Sequence, residues 1–245
     1  MILPALASCS FAAIATYITR GTIGSRSQLW GDVVWHGPRE HSAIALTFDD
    51  GPTPGGTDAI LDILQSAGVA ATFFVIGQNV ERYPQLLSRI HEAGHAIGNH
   101  TWHHDHQGWL GSRRYWENEI RRTDELIEKT IGVRPVLFRP PMGIKTFLTL
   151  AAARRLGHIT ANWSLRGRDG VATDAKMILG RLSSVDRGDI VLLHDGTSPN
   201  YPHDPTATIS ALPRFLEKLR LRELKAVRLD ALLNFPIARY TGSGN

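Results

Sequence analysis

The sequence predicts an α/β fold built on a parallel sheet which, if closed, makes a barrel one unit short of eight. Two observations lead there. Apolar runs rich in strand formers alternate seven times with helical patterns over about 200 residues. Polar residues gather at the carboxyl ends of those runs, where parallel α/β folds collect their chemistry. No internal repeat, heptad run or low-complexity segment offers another architecture.

The amino end comes first. The chain has 245 residues, 42% hydrophobic and 20% charged, with a net charge of +4 and pI near 9.5. That composition is ordinary for a globular protein. Met1 to Thr19 carries no charge and Arg20 is the first ionic residue. The run can just span a bilayer, and Ala13-Ile14-Ala15 resembles a small-residue cleavage site, although a basic stretch ahead of it is missing. Residues 1–29 therefore read as an apolar export signal or membrane anchor, with a buried amphipathic helix as the alternative. Residues 30–41 read as a linker and 42–240 as the main folded domain. Cys9 is the only cysteine, which excludes an intrachain disulfide and any paired-cysteine zinc or redox motif.

Strands are expected at 44–48, 71–77, 96–100, 136–140, 158–164, 189–194 and 225–229, with helices between them. The clearest helix starts at Ser112 as N-cap, carries Trp116, Ile120, Ile127 and Ile131 on one face, and stops at Gly132. A second starts at Asp204-Pro205, with Ile209, Leu212, Leu216 and Leu219 as its apolar face. Arg113-Arg114 and Arg121-Arg122 share the first helix with Glu117, Glu119, Asp124 and Glu125. This mixture reads as a solvated face, so no nucleic-acid partner is expected.

Thr47-Phe48-Asp49-Asp50-Gly51-Pro52 ends the first strand with two adjacent carboxylates and no basic neighbour. Such a pair needs a cation or a guanidinium to offset its charge; a plain turn is the other reading. Four histidines then fall within seven residues, His100, His103, His104 and His106. His100 and His104 lie one helical turn apart and can converge on one ion, with His103 and His106 as a competing pair. With Asp50 they make three protein ligands and leave room for water and substrate, as a catalytic metal site requires. His91-Glu92-Ala93-Gly94-His95 fits the HExxH pattern of zinc proteases, but Gly94 should end the helix and separate its histidines. Arg139 precedes two prolines that fix an extended path and turn the Met142 N–H outward. It can form a two-pronged bond to a carboxylate. His194 closes a buried strand, with Asp169 on a neighbouring strand placed to orient its ring.

Taken in order, Thr47-Phe48-Asp49-Asp50-Gly51-Pro52, His100-Thr101-x-x-His104, Arg139-Pro140-Pro141, Asp169 and Leu192-Leu193-His194 resemble the five motifs of the polysaccharide deacetylases, carbohydrate esterase family 4, also called the nodulation-factor-deacetylase homology domain. The match runs from about Ser42 to Leu233. The resemblance implies a distorted seven-stranded (β/α) barrel and metal-dependent removal of acetyl groups from glycans. It also implies roles: Asp49 as general base, Asp50, His100 and His104 as metal ligands, Arg139 holding Asp49, and Asp169 orienting the general acid His194. The Met142 N–H would meet the oxyanion. Two departures stand out. The fourth motif has Arg166 and Gly170 where the family has an aspartate and a tryptophan, and Met142 replaces a tyrosine.

The expected function is hydrolysis of N-acetyl groups on an amino-sugar glycan of the peptidoglycan or chitin type, in the cell envelope or secreted. Zinc is the expected ion, and cobalt, nickel or manganese would suit the same ligands. A monomer is expected, with membrane association through residues 1–19. The alternatives are an O-acetyl xylan esterase or sugar deformylase using the same site, and a non-catalytic carbohydrate-binding domain. Arg166 is expected to point outward, toward an anionic group of the substrate.

Overall fold

A computed structural model describes the backbone of residues 3–234 and 238–240 and the side chains of residues 13–234. Residues 1 and 2 of the apolar run, the side chain of Cys9 and part of the expected domain end lie outside the described residues. An N-terminal helix, α1 (Leu3–Ile23), leads into the repeating unit. Then follow β1 (Ala43–Asp49), α2 (Gly56–Ala67), β2 (Thr72–Val75), α3 (Gly77–Arg82), α4 (Pro84–Glu92) and β3 (Ala96–Asn99). The middle of the chain holds α5 (Arg113–Ile131), β4 (Val133–Pro135), β5 (Leu137–Phe138), α6 (Phe147–Arg155), β6 (Ile159–Thr160) and β7 (Leu165–Arg166). The last part comprises α7 (Ala175–Arg181), β8 (Ile190–His194), α8 (Thr206–Leu221), β9 (Lys225–Val227), α9 (Leu229–Leu233) and β10 (Ala238–Tyr240).

Seven strands run parallel in the order β6-β5-β3-β2-β1-β8-β7, a sheet that curls into an incomplete barrel. β1 is central because its apolar residues serve both faces. Ile44, Leu46 and Phe48 pack outward with Ile60 and Leu64 of α2 and Leu212 and Phe215 of α8. Ala45 faces the interior with Phe74, Leu137, Trp163 and Leu192. Period-two alternation then puts Thr47 and Asp49 on that inner face as well. α5 follows its sequence signals: the Ser112 hydroxyl accepts from the Tyr115 N–H at 3.2 Å, and Gly132 closes the helix at φ 71°.

Three expectations are revised, and one strand pair is new. The strand expected over 158–164 is two strands: β6 pairs with β5, and β7 pairs with β8 on the other side of an open seam. Residues 33–36 fill that seam, with Val34 bridging to Ala161 and His36 to Asp189. The run 225–229 yields β9, which pairs with the start of β1 and lies off the main path. β4 and β10 form a separate antiparallel pair whose three-residue strands have too little periodicity to read. Finally, Glu119 and Asp124 of α5 are buried, so that helix does not present a uniformly solvated face.

Candidate metal centre and active site

The inner carboxyl ends of β1, β3, β5 and β8 converge on one point. Asp49 closes β1, and Asp50 follows it in the left-handed region at φ 76°, which turns the second carboxylate away from the strand's alternation. Gly51 is required there by close approach: a Cβ would stand 2.0 Å from Asp195 Oδ2. The buried Asp195 carboxylate accepts from the Gly51 N–H at 3.2 Å and from the Thr57 hydroxyl at 2.6 Å, which pins the turn. Burial pushes the Asp195 carboxyl up to about 7. Its position one residue past His194 gave no sequence signal of this role.

Asp50, His100 and His104 are all buried, and each offers a donor atom within 4.8 Å of the others. Asp50 Oδ1 lies 3.4 Å from His100 Nε2 and 3.3 Å from His104 Nε2. This oxygen is buried without a hydrogen-bond partner, which is costly unless something else satisfies it. Burial opposes ionisation of Asp50, but the imidazoles of His104 and His100 outweigh it and hold the carboxyl well below the usual range. Burial pushes His104 down to about 4, so its ring is neutral near pH 7. His100 Nδ1 donates to the Arg139 carbonyl at 2.7 Å, so in the neutral ring the lone pair is on Nε2, the nitrogen that faces Asp50. Two imidazole nitrogens and one carboxylate oxygen within reach of one another are a donor set that fits a divalent metal.

The histidines do not meet by a helical turn. Residues 100–105 form an irregular loop, with Thr101 at φ 70° and His104 at φ 51°, and its shape is set by residues that sequence reading missed. Asn99 Oδ1 accepts from the Thr101 N–H at 2.8 Å, while Asn99 Nδ2 donates to Asp124 and to the Ile120 carbonyl. The Glu119 carboxylate accepts from the Trp102 and His103 N–H groups at 3.2 and 2.9 Å and bonds His103 Nδ1 at 2.7 Å. The Thr101 hydroxyl accepts from the His104 N–H at 3.1 Å. His103 is thereby turned toward Glu119. His106 stacks on Tyr201, and its ring lies 5.4 Å from that of His104. The HExxH histidines part as expected: His91 ends α4, while His95 Nδ1 accepts from the Ala71 N–H.

Arg139 is fully buried and donates in four directions. Nη1 reaches Asp49 Oδ1 at 2.6 Å and the Thr47 hydroxyl at 2.9 Å; Nε and Nη2 reach the carbonyls of Ala161 and Asn162, each at 3.0 Å. Asp49 Oδ2 is left facing His100 Nε2 at 3.6 Å. Met142 follows in the left-handed region at φ 56°, its side chain exposed. Non-glycine residues in that region cluster at functional loops.

Asp49 and His194 are register partners across β1 and β8. His194 Nδ1 bonds Asp169 Oδ1 at 3.0 Å; Asp169 Oδ2 accepts from the His194 backbone N–H and from the Thr208 hydroxyl, each at 2.7 Å. Burial works against a charged ring, but Asp169, together with Asp50 and Asp49, raises His194 to about 10. Gly170 sits against this ring: a Cβ there would lie 3.1 Å from His194 Cε1. Beside it lies a cavity of about 670 Å³, lined by Gly170, Thr173, His203 and Ser210 among others. Arg166 is exposed on β7, opposite Leu192 in register.

The polysaccharide deacetylase family model matches residues 36–161. A peptidoglycan-N-acetylglucosamine deacetylase of Bacillus cereus is 35% identical over 208 residues, 84% of this chain and 94% of that protein. A chitooligosaccharide deacetylase of Sinorhizobium fredii is 35% identical over 74% of this chain and 86% of its own length. A crystal structure of a peptidoglycan N-acetylglucosamine deacetylase bound to an N-hydroxybenzamide derivative superimposes with a TM-score of 0.78 at 29% identity, covering 84% of this chain and 95% of that one.

Proposed function

The chain belongs to the polysaccharide deacetylase family, and on that premise we propose that it hydrolyses the N-acetyl groups of an amino-sugar glycan of the peptidoglycan type, in the cell envelope. One observation carries the reading: a carboxylate held by Arg139, a buried two-nitrogen, one-oxygen ligand set and an imidazole raised by Asp169 share one end of one sheet.

In this proposal Asp50, His100 and His104 hold a divalent ion, zinc by default, with cobalt, nickel or manganese compatible with the same donors. When bound, the ion supplies Lewis-acid polarisation of the acyl carbonyl and acidifies water. Asp49, aimed by Arg139, takes the proton from the attacking water through Oδ2. The Met142 N–H donates to the oxygen that gains charge. His194, protonated and held through Nδ1 by Asp169, gives its Nε2 proton to the departing amine, which is a poor leaving group without it. Acid and base assistance contribute on the order of 10²–10⁴ each in rate. The exposed Arg166 takes an anionic substituent of the glycan, such as a peptide carboxylate.

Residues 1–19 are proposed as an export or membrane-associating segment. The side chains of residues 13–20 are exposed, and among the described residues no helix is long and apolar enough to cross a membrane. The enzyme is proposed to act as a monomer. Acetate release from N-acetylated peptidoglycan, chitooligosaccharides and O-acetyl xylan tests the reading. Release from the amino-sugar glycans is expected. Release from xylan alone would make it an esterase, and none from any would leave a binding domain.

A further inference from the structure

The stretch between α1 and β1 is bonded into the catalytic rim. The last carbonyls of a helix have no partners of their own. At the end of α1 one residue of the β5–α6 loop takes two carbonyls: the Lys145 N–H donates to Thr22 at 3.1 Å and Lys145 Nζ to Gly24 at 2.6 Å. Lys145 is 0% exposed and lies three residues past Met142. Burial lowers its pKa to about 8, and the negative end of the α1 dipole favours the ammonium there.

A second tie reaches Arg139. The fully buried Asn162 donates through Nδ2 to the Ser25 carbonyl at 3.1 Å and to the Gly143 carbonyl at 3.4 Å. Its backbone carbonyl accepts from Arg139 Nη2, and its backbone N–H donates to the Val34 carbonyl at 2.7 Å. The exposed Arg26 adds a bond to the Ser164 carbonyl at 2.7 Å. We propose that residues 21–36 are a positioning element of the active site, acting through Lys145 on the Met142 loop and through Asn162 on Arg139. Cleavage after Ala15 would leave this element on the enzyme. The kinetic half of the proposal rests on the deacetylase reading; the structural half does not.

The test uses the full chain with Lys145→Met and Asn162→Leu, which keep side-chain bulk. Amide hydrogen exchange of residues 139–146 is measured with kcat, KM and bound metal. Expected are exchange at least about tenfold faster and kcat about 10–100-fold lower, since misplacement by about 1 Å can cost that much. KM should stay within about threefold and metal content unchanged. Should either variant fail to fold, Arg26→Ala gives the same readout from the surface, over residues 20–30 and 160–165. Unchanged exchange in the folded variants overturns the proposal whether or not acetate is released, as does kcat falling only in step with metal loss. A wild-type chain that releases no acetate counts against the deacetylase reading alone, and exchange then decides this one.

Discussion

Asp169→Asn is the substitution whose outcome the geometry specifies most closely. The Asp169 carboxylate accepts three hydrogen bonds, from His194 Nδ1, the His194 backbone N–H and the Thr208 hydroxyl. An amide has one oxygen to accept with, so its NH₂ must face one of the two His194 donors. Either the ring loses its orienting partner or the β8 end loses its tether. The negative charge disappears in both cases. His194 stands at about 10 because burial, which lowers it, is outweighed by Asp169 with help from Asp50 and Asp49. Asp169 is the largest of these, and a divalent ion held by Asp50 would offset that residue's help. Removing a charge in direct contact shifts a pKa by roughly 1–3 units. The general acid works protonated, so rate falls as pH rises through its pKa, and a lower pKa moves the alkaline limb toward neutrality. The pH–rate profile of kcat for Asp169→Asn should show that limb roughly 1–3 units lower, with kcat at its optimum reduced on the order of 10²-fold or more. Thr208→Ala, which keeps the charge, should move the limb far less. An Asp169→Asn limb that coincides with wild type would refute the assignment of His194 as the acid.

Asp49→Asn should abolish turnover with metal retained, whereas Asp50→Asn should release the metal; equal metal loss in both, measured by elemental analysis, would contradict the division of roles. Glu119→Gln should weaken metal affinity by about 10–100-fold in a competition titration, because the loop that carries both ligand histidines loses its anchor, a loss on the scale of removing a ligand's own hydrogen-bond partner; His103→Ala, which leaves the Glu119 contacts to the loop backbone in place, should change it less. Arg166→Ala should raise KM for an anionic glycan and leave the alkaline limb where it is; a limb displaced to higher pH with KM unchanged would mean that the arginine acts on His194.

Position along a strand was readable and loop shape was not. Thr47-Phe48-Asp49 and Leu192-Leu193-His194 announce buried strands by composition, and a strand's period fixes which side chains turn inward. The same logic fails for His100 and His104, whose spacing suggests a helical turn. Their loop instead takes left-handed steps at Thr101 and His104, held by Asn99 just before it and by Glu119 and Asp124 of α5. Such contacts leave no periodic trace. Glu119 and Asp124 looked like solvated helix charges because nothing local distinguishes a carboxylate that caps a distant loop from one facing water. The seam went unread for a related reason: residues 33–36 complete the sheet through isolated bridges too short to form a strand.

Asp49 and His194 face each other as register partners on adjacent parallel strands. Their backbones are therefore held apart by the strand spacing of about 4.8 Å. In the proposed reaction the ladder acts as a ruler: base and acid stand at one level on neighbouring strands, so the sheet sets the separation between the group that takes a proton and the group that gives one. Slipping the register by a residue would bring the apolar Leu193 opposite Asp49 on the inner face and turn His194 outward. Loops around the rim are free to diverge and to fit other glycans, while the distance between attack and departure stays with the sheet.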